Sequence, residues 1–217
     1  MVRNTGPSSG TKSGTEMLER LQAEFTRTPV LPVLRVGTAD DAVGAVSTLA
    51  AAGLGIVELT ATTPDWRVAL SRVRAEHPDL LVGLGTVRSA RTALEAADFG
   101  ADFLVTPHPA PEVRSAIDGA IPVVEGGWTP GEIAAAADTG LAKLFPAHVG
   151  GPAYLRTLLA VLPGALVIPT GGIGLDDVPA WLDAGATAVG VGTALVERLA
   201  ADPGAVADWL AALGGRS

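Results

Sequence analysis

The chain is 217 residues long, 48% hydrophobic and only 18% charged, enough to bury one sizeable core with no need of a second. Fifteen Lys and Arg against 23 Asp and Glu leave a net charge of -8, which repels nucleic acid and anionic membranes, so any phosphate has to be held locally. With no cysteine, disulfide frameworks, thiolate nucleophiles and cysteine metal sites are excluded.

Residues 1–14 are polar and rich in Ser, Thr and Gly, without the apolar segment of a signal peptide, and read as a disordered tail. Residues 15–217 read as one domain. No apolar stretch runs unbroken to the ~20 residues that span a bilayer, so the expectation is a cytoplasmic protein without membrane contacts. A short amphipathic helix is predicted from about Thr15 to Arg27. Thereafter one pattern repeats: a short run rich in Val, Leu and Ile, a turn, and an Ala-rich helical stretch. The runs are Val30 to Val36, Ile56 to Ala61, Leu80 to Val87, Phe103 to Pro107, Ile121 to Gly126, Leu141 to Ala147, Leu166 to Gly172 and Ala188 to Ala194. Such alternation implies a parallel sheet, and eight units suggest an α/β fold of the (β/α)8 TIM-barrel type, preceded by the N-terminal helix. An open doubly wound sheet is the alternative, but it needs a strand-order reversal, and no GxGxxG opens the first helix. Thr38-Ala-Asp-Asp, Thr129-Pro-Gly-Glu and Gly174-Leu-Asp-Asp read as helix starts. Gly53, Gly100, Gly140 and Gly185 read as left-handed helix caps.

Barrel chemistry sits at the C-terminal ends of the strands, so polar residues there need an explanation. Only two lysines occur, Lys12 in the tail and Lys143 in Leu141-Ala-Lys-Leu-Phe-Pro. Arginine stays charged in proteins, whereas a lysine withdrawn from water can become a neutral nucleophile, so a lysine on a buried strand points to carbonyl chemistry. The same lysine is also compatible with a structural Lys–Glu pair, or with one that snorkels to the rim and orients an anion. Glu58, in the apolar run Ile56-Val-Glu-Leu-Thr, favours the chemical reading, because a carboxylate in the same mouth can shuttle protons. Arg35, Thr86, Thr106-Pro-His and Thr170 stand at the matching strand ends. Arg35 is the most persuasive of these, since its planar fork suits a carboxylate.

Pro169-Thr-Gly-Gly-Ile-Gly and Gly190-Val-Gly-Thr-Ala-Leu end the last two strands with glycines whose amides can approach a ligand. Free N–H groups and a helix dipole hold an anion without a basic side chain, as barrel phosphate sites do. The same glycines also serve tight strand-to-helix turns.

Together these residues resemble the family of 2-keto-3-deoxy-6-phosphogluconate aldolases, which includes 4-hydroxy-2-oxoglutarate and 2-keto-3-deoxy-6-phosphogalactonate aldolases. The resemblance runs from about Thr28 to Arg198 through Val33-Leu-Arg, Val57-Glu-Leu-Thr, Thr63-Pro-Asp-Trp, Gly83-Leu-Gly-Thr-Val, Val105-Thr-Pro-His, Lys143-Leu-Phe-Pro, Gly150-Gly-Pro, Pro169-Thr-Gly-Gly-Ile and Val189-Gly-Val-Gly-Thr-Ala-Leu-Val. It implies a class I aldolase that reversibly cleaves a 2-keto-4-hydroxy acid into pyruvate and an aldehyde such as glyceraldehyde 3-phosphate. Lys143 is then the Schiff-base lysine and Glu58 the acid–base working through a bound water. Arg35 and Thr86 face the pyruvate carboxylate, Pro107 and Phe145 line the pocket, and Thr170, Gly171, Gly172, Gly192 and Thr193 surround the substrate, the last four receiving its phosphate. The resemblance implies a homotrimer with no metal and no other cofactor.

Four positions bear on substrate choice. Thr62 stands where some members carry arginine, His148 where glutamate is frequent, and Trp128 follows the fifth strand. Glu125, in Val124-Glu-Gly-Gly-Trp-Thr-Pro, replaces a usual proline and is expected to bring a second carboxylate beside Lys143, which would oppose amine nucleophilicity unless it is turned away, protonated or paired. His108, Glu125 and His148 have the residue types of a metal site but no local ligand spacing. The alternatives to the aldolase are a repurposed relative acting on a different or aminated substrate, and a non-catalytic trimeric binding or scaffold barrel.

Overall fold

A computed structural model describes residues 13–214. The expected tail lies outside the described residues except for its last two, Ser13 and Gly14, which already belong to a helix start. Ser13 caps α1 (Gly14–Arg27) by accepting the Glu16 N–H. From there the chain alternates β1 (Val30–Leu34), α2 (Ala39–Ala51), β2 (Ile56–Thr60), α3 (Trp66–Glu76), β3 (Leu81–Gly85), α4 (Ala90–Asp98), β4 (Phe103–Val105) and α5 (Pro111–Ile117). It continues through β5 (Val123–Gly127), α6 (Pro130–Ala137), β6 (Leu141–Leu144), α7 (Gly151–Val161), β7 (Leu166–Pro169), α8 (Val178–Asp183), β8 (Val189–Val191), α9 (Thr193–Ala201) and α10 (Pro203–Gly214). The helix α10 follows the eighth unit and has no counterpart in the sequence expectation.

All the pairings are parallel and in chain order, with β8 returning to β1. The ring closes between β7 and β8 at the single bridge Thr170–Gly190, where a side chain at position 190 would collide with Thr170. This is the barrel rather than the doubly wound sheet, since no strand order reverses. Thr38 and Thr129 cap α2 and α6 as their motifs suggest, the latter in a full capping box with Glu132. Gly53, Gly100, Gly140 and Gly185 all adopt positive φ. The strands are shorter than the apolar runs. The run from Leu166 stops at Pro169, and the run from Ala188 yields three strand residues before Thr193 opens α9. The residues left over are the turns at the C-terminal mouth.

Two apolar clusters sandwich the strands. The outer one joins alternate strand residues such as Val57, Leu84, Leu104 and Leu144 to the helices. The inner one is built from Leu31, Ile56, Leu81, Phe103 and Leu141, all at the N-terminal ends of strands, together with Met17, Leu21 and Phe25 of α1. Thus α1 closes the bottom of the barrel. Its seat is fastened by Glu24, which accepts the Gly55 N–H, and by Arg27, which donates to the Gly53 carbonyl. No helix among the described residues is long and apolar enough to cross a membrane.

Candidate active site

Above the apolar floor the interior turns polar. Lys143 is the third residue of β6 and Glu58 the third of β2, and both side chains point into the barrel with relative exposures of 6% and 1%. Lys143 Nζ stands 4.0 Å from Glu58 Oε1. Room for the carboxylate comes from β3, which places Gly83 opposite Glu58 and Gly85 two residues further on. A Cβ at Gly85 would overlap the Glu58 carboxylate, and one at Gly83 would overlap the Phe103 ring. Neither oxygen of Glu58 accepts a hydrogen bond from the protein. Burial pushes its carboxyl above the ordinary carboxylate range, and the nearby charges of Lys143 and then Arg35 pull it part of the way back. The face of Phe145 lies 5.2 Å from Lys143 Nζ, within range of a cation–π contact.

The other expected residues ring the same end of the barrel. Arg35 follows β1 and is exposed, with its charge within reach of Glu58. Thr86 follows β3 with φ of +59°, a strained conformation for a β-branched residue and one that clusters at functional sites. Pro107 follows β4 and is half-buried. Thr170 follows β7, and Gly171 and Gly172 turn the chain with φ of +96° and +71°. The space a side chain would need at these glycines is filled by the rings of Phe145 and His148, respectively. His148 Nδ1 lies 3.1 Å from the Gly171 carbonyl oxygen, which ties the β6 loop to the glycine turn. Gly192 and Thr193 open α9 beside β8.

Thr62 is exposed, and its hydroxyl donates to Thr60 Oγ1 at 3.1 Å. Thr60 in turn donates to the Leu34 carbonyl and lies 3.3 Å from Thr63 Oγ1. These hydroxyls lace the loop after β2 to the end of β1, next to Arg35. Thr60 and Thr63 escaped the sequence reading, although both sit inside quoted motifs at a strand end.

Glu125 corrects an expectation. Its register partner is Ala142, while Gly126 is the neighbour of Lys143, so the Glu125 side chain leaves the strand on the outer face. There it accepts the Ala110 N–H and pairs with Arg114 at 3.3 Å, and it does not sit beside the lysine. Trp128 is engaged with α7, where its ring stacks on Tyr154 at 4.7 Å and its carbonyl accepts the Tyr154 hydroxyl at 2.6 Å. Among the described residues no three His, Asp or Glu side chains converge as metal ligands, so His108, Glu125 and His148 do not form the cluster weighed above.

The family model for KDPG and KHG aldolase matches residues 21–209. The chain is 35% identical over 184 residues to 2-dehydro-3-deoxy-phosphogluconate aldolase of Pseudomonas aeruginosa, covering 83% of this chain and 82% of the relative. It superposes with a TM-score of 0.79 and 28% identity on a KDPG aldolase from Legionella pneumophila that holds pyruvate as a covalent carbinolamine, covering 88% and 97% of the two chains. At the same TM-score and 30% identity it matches a protein cage designed by fusing symmetric oligomeric domains, covering 88% of this chain and 74% of that one. Given the barrel, the buried lysine and carboxylate at its mouth, and these likenesses, the chain belongs to the KDPG and KHG aldolase family.

Proposed function

We propose that the protein is a class I aldolase whose nucleophile is Lys143 and whose proton carrier is Glu58, cleaving a 2-keto-4-hydroxy acid of the 2-keto-3-deoxy-6-phosphogluconate type into pyruvate and an aldehyde. The observation that carries this reading is the buried lysine facing a buried carboxylate that has no hydrogen bond from the protein. The lone pair of Nζ adds to the C2 carbonyl, and loss of water gives an iminium. Glu58, directly or through water, takes the proton of the C4 hydroxyl as the C3–C4 electrons move toward the iminium nitrogen, releasing the aldehyde. The same proton returned to C3 and hydrolysis of the imine free pyruvate and restore the lysine. A carboxyl whose pKa burial raises above the ordinary carboxylate range suits both directions of that transfer.

In this reading Arg35 and Thr86 hold the substrate carboxylate, with Pro107 and Phe145 as apolar walls. Thr170 closes the ring beside them, and Gly171, Gly172, Gly192 and Thr193 receive the distal phosphate through backbone amides. Thr62 and His148 border these subsites and are the positions best situated to tune the acceptor. A homotrimer in the cytoplasm is proposed from the family resemblance, and the match to a cage of fused symmetric oligomeric domains supports association.

Reduction with borohydride in the presence of pyruvate tests the proposal. The expected result is a covalent adduct on Lys143 by peptide mapping, lost in Lys143→Met. An unlabelled protein, or a label elsewhere, refutes it and favours a binding or scaffold barrel.

A further inference from the structure

Glu125 is a buried carboxylate that the reaction above does not use, and it stands where the family resemblance leads one to expect proline. Its surroundings give it another task. The helix α5 is preceded at its cap position by Ala110, whose side chain cannot cap it, and no side-chain cap is made there. Glu125 provides the missing acceptor from the neighbouring strand by taking the Ala110 N–H, and its second oxygen meets Arg114 on the same helix at 3.3 Å. The turn leading into α5 is held at its other end as well. Thr106 Oγ1 accepts the Gly126 N–H at 3.0 Å and donates to the His108 carbonyl at 2.7 Å.

Both fastenings end on adjacent residues of β5, and Gly126 is the register neighbour of Lys143. Between them the turn lies directly on the strand. A Cβ at Gly126 would come within 2.5 Å of the Pro107 carbonyl carbon and 2.8 Å of the His108 nitrogen. Pro107 is thus pressed against the strand flanking the lysine, and the two latches fix where it sits.

We infer that Glu125 and Thr106 are positioning residues: they hold the turn between β4 and α5 against β5 so that Pro107 forms a fixed wall of the keto-acid subsite next to Lys143. The inference rests on the reading of Lys143 as the nucleophile. A carboxylate serves here because its two oxygens engage the helix start and a guanidinium together, which proline in the same place cannot do. A misplacement of about 1 Å can cost about a hundredfold in rate, even when the displaced group does no chemistry.

The test uses Glu125→Ala and Thr106→Val, each with its conservative partner, Glu125→Gln and Thr106→Ser, at a temperature where all four are folded by circular dichroism. Hydrogen exchange at the Ala110 and Gly126 amides reads the latches themselves, independently of the lysine. Borohydride trapping of pyruvate and the KM for the keto acid read their consequence. We expect Glu125→Ala to expose the Ala110 amide and Thr106→Val the Gly126 amide, with trapping slowed about tenfold and KM raised more than kcat is lowered. Glu125→Gln and Thr106→Ser retain an acceptor and should recover most of the rate. A purely structural role lowers Tm while leaving trapping and KM at parental values, and that outcome overturns the inference. Unchanged exchange, or a Gln variant as slow as Ala, overturns it equally. Should the parent protein itself resist labelling, the Lys143 reading fails separately, and KM against kcat in the cleavage reaction decides the positioning role. Because the two latches are independent, a variant that does not fold leaves the other to decide.

Discussion

Glu58 occupies an environment that disfavours its charge, with neither oxygen hydrogen-bonded to protein and only partial compensation from Lys143 at 4.0 Å and from the charge of Arg35. Because its folded-state pKa is raised above the unfolded value of about 4.5, the folded chain binds this proton more tightly than the unfolded chain. The stability linked to it is fully present below that value and is lost as pH rises through the folded pKa. Glu58→Gln removes the titration. Its stability relative to the parent should therefore climb from about pH 4.5 upward and level off above the folded pKa, as measured by urea unfolding at a series of pH values. A pH-independent difference would contradict the buried-carboxyl account. The same variant should lose about 10²- to 10⁴-fold in kcat, the range expected when a general acid–base is removed. Lys143 could be singled out from sequence because it is the one lysine beyond the tail. The place of Glu125 could not be read in this way. Strands of a closed barrel are buried on both faces, so Val-Val-Glu-Gly-Gly carries no polar alternation to reveal which residues point inward. Only the pairing of Gly126 with Lys143 settles the parity.

At the scale of strands and helices, the site depends on glycines that make space as much as on groups that react. Gly85 faces the Glu58 carboxylate across the β2–β3 ladder, and its backbone is ordinary, so Gly85→Ala acts by collision alone. Overpacking of this kind costs about 1–3 kcal/mol, and here it also displaces the proton carrier. We predict a loss of activity of at least about tenfold for Gly85→Ala, with helix content unchanged. In a Glu58→Ala background the added methyl group finds room, so the stability cost of Gly85→Ala should largely vanish. A double-mutant cycle in urea measures this coupling, and additive effects would mean that the two residues do not meet. Helix starts and stops were legible because caps have local chemistry: Thr38, Thr129 and the four glycine caps all lie where their motifs placed them. The strand ends were less legible. Apolar runs such as Leu166 to Gly172 continue past the last strand residue, Pro169, into a turn where Thr170 is still buried but Gly171 is half-buried and Gly172 exposed. Thr86 is a further instance, because nothing in Gly83-Leu-Gly-Thr-Val announces a left-handed threonine.

Across the whole molecule the barrel divides its labour between two ends. The closed end holds Leu21 and Phe25 of α1 against the first residues of the strands, and the open end holds Lys143, Glu58 and the rim residues. The eightfold alternation made this division readable in outline, since the C-terminal ends of barrel strands are where loops can vary without disturbing the core. That α1 is the plug was not readable, because an amphipathic helix shows which face is apolar and not what that face covers. The division gives a prediction with two opposite readouts. Leu21 is fully buried, and Leu21→Ala leaves a cavity in the floor that should cost about 2–5 kcal/mol of stability. Yet the strand residues between the floor and the lysine, such as Phe103 and Ile168, are buried and held by a ladder that thins to a single bridge only between β7 and β8. Below its lowered unfolding transition, the variant should therefore trap pyruvate at Lys143 within a few-fold of the parental rate. Thr106→Val, at the other end, should show the reverse pattern, with trapping slowed more than its stability cost alone explains. If Leu21→Ala instead lost trapping in proportion to stability, the two ends would be coupled through the barrel wall, and the inner cluster would belong to the catalytic apparatus as well as to the fold.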